Sequence, residues 1–175
     1  MPFNLLKKYP ELLELGQYIE YERNKSLMAI FKRDIENNDA FLFRQKKVRP
    51  TKKEGESSMQ TLFNHLTTRN DEDENGKKLK SRSFEMHRSV RLHWIKYHIE
   101  ESKKENIRIF SYEDRVDRKD VIRTYIYDMD EKYVIVLEPQ RSKTDYYLLT
   151  AYYLNEKRGY KQIKQKFKNR LNEVH

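Results

Sequence analysis

Residues 83–103, S-F-E-M-H-R-S-V-R-L-H-W-I-K-Y-H-I-E-E-S-K, constrain the fold more than any other stretch of this chain. Ser83 can cap a helix with its hydroxyl. Glu85 falls in the first turn, where the helix dipole favours an acid, and Lys103 lies near the end, where it favours a base. One long helix is therefore expected. At about 100° per residue, one apolar arc gathers Met86, Val90, Trp94 and Tyr97, and a second gathers Phe84, Leu92, Ile95 and Ile99. His87, Arg91 and His98 run between the arcs. Ser89, Lys96 and Glu100 mark the opposite, water-facing side, where His93 also falls.

The stripe of His87, Arg91 and His98 is thus expected to point inward. A guanidinium and two imidazoles on a buried face are costly unless they are paired or line a cleft that solvent and ligand can enter. Any one of them alone reads as a core residue satisfied by a carboxylate or a carbonyl. All three on one stripe, with few acids nearby, read as the wall of a functional cleft.

The partner class follows from charge. With 37 Lys+Arg against 28 Asp+Glu in 175 residues, the chain carries a net charge of +9, which favours a polyanion. The absence of cysteine excludes disulfides and Cys-ligated zinc or iron-sulfur sites, and the scattered histidines supply no H-E-x-x-H. No cofactor and no metal are expected. No apolar run approaches the ~20 residues of a membrane span, and M-P-F-N-L-L-K-K lacks the order of a signal peptide. The expectation is a cytoplasmic protein with no membrane partner, and delivery into another cell or by a phage particle would leave the same trace.

Before the central stretch, residues 1–40 read as a helical extension, with Leu12, Leu15, Ile19, Met28, Phe31 and Ile35 at helical spacing. Phe41 to Phe43 reads as a short strand. The run R-Q-K-K-V-R-P-T-K-K reads as a basic loop suited to a phosphate backbone. Ser58 to Leu66 reads as a short helix on which His65 is a surface residue, and residues around 67–82 read as a flexible loop with almost no apolar content.

Beyond the central stretch, Ile107–Tyr112, Val121–Asp128, Tyr133–Glu138 and Asp145–Leu154 are rich in β-branched and aromatic residues and read as strands. Short connections between them favour an antiparallel meander. Val121, Arg123, Tyr125 and Tyr127 share one face of the second strand. On the fourth, Tyr146, Leu148, Thr150 and Tyr152 share a face. A basic helix from about Tyr160 to Val174 closes the chain, its inward stripe being Ile163, Phe167, Leu171 and Val174. The expected fold class is α+β: an antiparallel four- to five-stranded sheet packed by the long central helix and the C-terminal helix.

A helix laid across the sheet would bring His87, Arg91 and His98 to Arg123, Thr150 and Tyr152. Imidazoles, guanidiniums, a hydroxyl and phenols suit metal-free RNA cleavage. Histidine can serve as base and acid, and arginine grips phosphate oxygens in pairs. Tyrosines offer stacking surfaces for unpaired bases.

The runs H-R-S-V-R-L-H-W-I-K-Y-H-I-E (87–100), V-I-R-T-Y-I-Y-D (121–128), Y-V-I-V-L (133–137) and Y-L-L-T-A-Y-Y (147–153) resemble the phage- and toxin-associated nucleases of the barnase, EndoU, colicin and RelE (BECR) superfamily. The likeness covers about residues 82–155. It implies a nuclease domain over 41–175, an RNA-cleaving cleft on the sheet, and Arg91, Arg123 and Thr150 as its polar residues. His87 and His98 come from the wheel argument instead. No glutamate stands at a clear barnase-like position, Glu138 being the nearest candidate base.

The expected catalytic set is His87, Arg91, His98, Arg123, Thr150 and Tyr152, with Arg88, Tyr125, Lys157 and Arg158 binding substrate. The expected activity is metal-independent endoribonuclease cleavage by 2′-OH attack, giving a 2′,3′-cyclic phosphate. RNA, with tRNA among the candidates, is the expected partner, together with an immunity or antitoxin protein. The alternatives are a non-catalytic basic nucleic-acid-binding module and a phage structural or interaction protein.

Overall fold

The computed structural model describes residues 2–51 and 57–175, so Lys52 and Lys53 of the basic run lie outside it. A single turn, α1 (Pro2–Leu5), is followed by an extended segment, then α2 (Glu20–Phe31), which continues into a π-helical turn at Lys32–Glu36. The order thereafter is β1 (Leu42–Phe43), β2 (Lys46–Pro50), α3 (Ser58–Thr67), β3 (Thr68–Glu72), β4 (Lys78–Phe84), α4 (Met86–Ser89) and α5 (Trp94–Ile99). The chain closes with β5 (Ile107–Val116), β6 (Lys119–Asp128), β7 (Tyr133–Pro139), β8 (Asp145–Tyr153) and α6 (Lys157–Lys168). No helix among the described residues is long and apolar enough to cross a membrane.

The class is α+β, built on a six-stranded sheet of order β1-β2-β8-β7-β6-β5 and a separate β3–β4 hairpin. The meander β5 to β8 forms as expected, antiparallel throughout. The whole sheet is mixed, however, because β2 lies parallel to β8, with Val48 opposite Tyr146. This strand comes from the basic run expected to be a loop. Val48 is buried between exposed Lys47 and Arg49, a period-two pattern hidden under dense positive charge. The residues around 67–82, expected to be a flexible loop, form the β3–β4 hairpin. Its polar strands carry little apolar alternation to announce them. Arg82 bonds across it, from Nε to Thr68 Oγ1 (2.8 Å) and from Nη1 to Asn70 Oδ1 (2.5 Å).

The long central helix is not there. Ser83 and Phe84 belong to β4, and Glu85, not Ser83, caps α4, its carboxylate accepting from the His87 and Arg88 N–H groups. Between α4 and α5 the backbone bonds run from residue i to i−3: Arg91 to Arg88, Leu92 to Ser89, Trp94 to Arg91 and Ile95 to Leu92. Such tight turns advance about 120° per residue instead of about 100°, so four of them rotate everything downstream by roughly 80°. Buried His93 and Ser89, both expected to face water, follow from this break, as does exposed Met86.

A distant backbone N–H and a local side chain take the carbonyls that a continuous helix would have used. Leu13 N–H donates to Val90 O (2.9 Å), and Arg91 Nη1 donates to His87 O (2.7 Å). The N-terminal segment thereby becomes part of the main core: Leu13, Leu15, Leu27, Ile30 and Phe31 pack in one cluster with Trp94, Ile95, Ile126 and Ile135.

That cluster covers one face of the sheet, the core face. On the other face Phe110, Tyr125, Val134 and Val136 pack with Ile163 and Phe167 of α6. A bulge in β8 decides which side chains reach which face. Leu137 pairs with Leu148 but Val136 pairs with Thr150, leaving Leu149 as an extra residue. Tyr146 and Leu148 therefore join the core face, while Thr150 and Tyr152, expected to share their side, turn to the opposite one.

A basic cleft as the candidate nucleic-acid site

The turned residues open onto a cleft of about 720 Å³. Its floor is the sheet face opposite the core, with Arg123 and Tyr125 from β6, Val136 from β7 and Thr150 and Tyr152 from β8. One wall is α6, through Arg158, Gln162 and Lys166. The other is made by His65 of α3, Arg88 of α4 and the β3–β4 hairpin, which adds Arg69, Lys78 and Arg82. Glu72, Glu85 and Glu156 are its acids, so positive charge prevails. Arg69 and Glu156 meet across it at 3.6 Å. β2 accompanies β8 only as far as Leu148. Beyond that point the free edge of β8 lies beside α3 and α4, and Arg88 reaches over it.

Arg88 is held at the cleft wall through one nitrogen of its guanidinium. Its Nη1 donates to His65 O (2.6 Å) and Thr68 O (3.0 Å) and approaches Thr150 Oγ1 at 3.3 Å. Its buried Nε has no acceptor. Burial pushes this guanidinium below its ordinary value, opposed by the Glu85 carboxylate. Arg123 stands 3.8 Å from Glu138 and 4.0 Å from Asp114, too far for hydrogen bonds, and its buried Nε also lacks an acceptor. Asp114 is already occupied: it accepts from Lys166 and from Tyr125, whose hydroxyl also accepts from Lys166 at 2.7 Å. Burial raises Tyr125 well above the usual phenol value, and it pushes Tyr152 up to about 12. Both stay protonated at neutral pH.

Arg88, Arg123, Tyr125, Thr150, Tyr152 and Arg158 are brought together as expected. His87, Arg91, His98 and Lys157 do not line this cleft. His87 is exposed, its ring 5.6 Å from that of Tyr153. Arg91 is buried behind the cleft wall, stacked on Tyr153 at 3.9 Å, and burial lowers its pKa from the ordinary arginine value. Lys157 is exposed at the start of α6.

His98 lies on the core face. Its Nε2 is 2.8 Å from Asp128 Oδ2 and its Nδ1 is 2.7 Å from Trp94 O. Both ring nitrogens thus lie within hydrogen-bond distance of an oxygen in the core. Burial alone would raise the Asp128 carboxyl. The bonds from His98, Lys103 and Tyr9 outweigh burial and hold it well below the usual range. The wheel argument placed His98 beside Arg91 by assuming an unbroken helix.

His65, expected at the surface, lines the cleft. It sits three residues after buried Leu62, at the border of the α3 apolar stripe, and that position was its one available signal. Glu85 is likewise at the cleft. Among the described residues, no group of three or more His, Asp or Glu side chains could hold a metal ion. Compared with protein-family models, curated proteins and solved structures, the chain matches none.

Proposed function

We propose that the protein is an endoribonuclease that cleaves RNA in the basic cleft by attack of a ribose 2′-OH, without a metal ion. The observation that carries this reading is the convergence of Arg88, Arg123, Thr150 and a histidine, His65, on one open, positively charged groove. Arg88 and Arg123 both line the cleft and neither donates a hydrogen bond to a carboxylate among the described residues, which suits a phosphate lodged between them. Thr150, beside Arg88, orients that phosphate.

His65 takes the proton from the 2′-OH as that oxygen attacks phosphorus. The bond from phosphorus to the 5′-oxygen breaks, and the leaving oxygen takes a proton from Tyr152, whose phenol is protonated at working pH. The products are a 2′,3′-cyclic phosphate and a 5′-hydroxyl, and proton return through solvent resets the pair. The motif resemblance to BECR nucleases supports the same chemistry, with Arg123 and Thr150 kept and Arg88 taking the place expected of Arg91.

The test is incubation of purified protein with labelled RNA in EDTA, followed by analysis of the ends. Cyclic phosphate termini are expected. Intact RNA, or cleavage that needs added metal, contradicts the proposal. A second reading, a binding module without catalysis, is favoured by the position of His87 and His98 outside the cleft. It predicts salt-sensitive RNA binding and no product.

A further inference from the structure

A second groove, of about 540 Å³, lies on the other side of the β3–β4 hairpin base, and Arg82 lines both it and the cleft. Its features differ from those of the cleft. Arg23 of α2 lies 3.7 Å above the ring of Phe84, the separation of a stacked cation and ring, and its buried Nε has no acceptor. Tyr21 borders the groove with 72% of its surface exposed, far more than an aromatic side chain needs for packing. Gln60 and Asn64 supply a pair of amides joined at 3.2 Å, which leaves a carbonyl oxygen and an amino group to meet a ligand.

We propose that this groove holds an unpaired nucleobase of the same RNA strand whose phosphate occupies the cleft. The inference rests on the ribonuclease reading above. The combination of a planar cation, an exposed phenol and a donor-acceptor amide pair matches what a splayed base offers: two π faces and a polar edge. Arg82, clamped by Thr68 and Asn70 on the wall between the two sites, stands where the connecting backbone phosphate would pass. Arg23 and Lys25 against Glu20 keep the groove positive, which suits a nucleic acid better than an acidic or neutral small molecule.

The experiment measures kcat/KM, and Kd by anisotropy, for single-stranded RNA oligonucleotides from two to ten nucleotides. Wild type is compared with Tyr21→Ala and Arg23→Ala. A step of about tenfold is expected at the length that spans cleft and groove, the scale of one stacked base. Both variants should lose that step while handling the dinucleotide as wild type does. Tyr21→Ala removes an exposed side chain, so its result stands even if loss of the Arg23 stack disturbs folding. A wild-type step that survives both substitutions, as for a groove that serves a protein partner, overturns the proposal and leaves the cleft reading intact. Wild-type protein that shows no length step overturns it as well. Wild type that neither binds nor cleaves any of the oligonucleotides overturns the ribonuclease reading together with this one.

Discussion

The two faces of the sheet treat their cations in opposite ways. On the core face His98 and Lys103 converge on Asp128, which also accepts from Tyr9, so one buried carboxylate serves three donors. On the other face Asp114 is taken up by Lys166 and Tyr125, so Arg123 stays 4.0 Å away without a hydrogen bond, and the Arg88 guanidinium bonds to carbonyls and a hydroxyl instead of a carboxylate. A cationic side chain is therefore structural where a buried carboxylate accepts its hydrogen bonds, and its charge faces a ligand where it lines a groove without such a bond. An inward-pointing base is not by itself a site. Its unmatched hydrogen-bonding capacity is the sharper sign.

The contrast is broken most severely if its catalytic member is misassigned. His65→Gln is expected to lower kcat for RNA by about 10²–10⁴-fold with the thermal melting curve unchanged, the range for removal of a general base. A rate that survives would take the chemistry away from His65. On the core face, Asp128→Asn removes the buried charge that His98 and Lys103 share and is expected to cost about 3–5 kcal/mol of stability, read from urea unfolding. The folded fraction should keep its kcat within about twofold. Arg123→Ala should do the reverse, with kcat lower by about 10²–10³-fold and the unfolding midpoint unmoved.

His93 sharpens the comparison through pH. It is buried, neither ring nitrogen makes a well-formed hydrogen bond, and burial, opposed by the backbone of Glu11, pushes its pKa down to about 4 from 6.5. Between those values the unfolded chain binds a proton that the folded chain refuses. Stability therefore falls as pH drops through this window, by on the order of 3 kcal/mol. Urea midpoints at pH 7 and pH 4.5 should converge more closely in His93→Phe than in wild type. The smallest effect is expected at exposed His87, where replacement by alanine leaves kcat within about twofold.

The meander and α6 were legible because their apolar periodicities are plain, from Ile107 to Tyr153 and at Ile163 and Phe167. So was most of the cleft floor: Arg123, Tyr125, Thr150 and Tyr152 lie there. Two things escaped for physical reasons. The break between α4 and α5 depends on Leu13, far away in sequence, taking the carbonyl of Val90; no local signal such as Pro or Gly marks it. The β8 bulge at Leu149 depends on register with β7, which alternation within a single strand cannot reveal. Each shifted a set of side chains to a new face, and between them they took His98 away from the cleft and turned Thr150 and Tyr152 into it.

The claim that chemistry belongs to the bulged face and not to the core network is tested most directly by amide hydrogen exchange. The protein would be measured with and without a 2′-O-methyl RNA oligonucleotide, which binds but has no 2′-OH to attack. Protection is expected in α3, α4, the second half of β8 and α6. Protection confined to α5 and the Asp128 end of β6, or none at saturating oligonucleotide, contradicts the account.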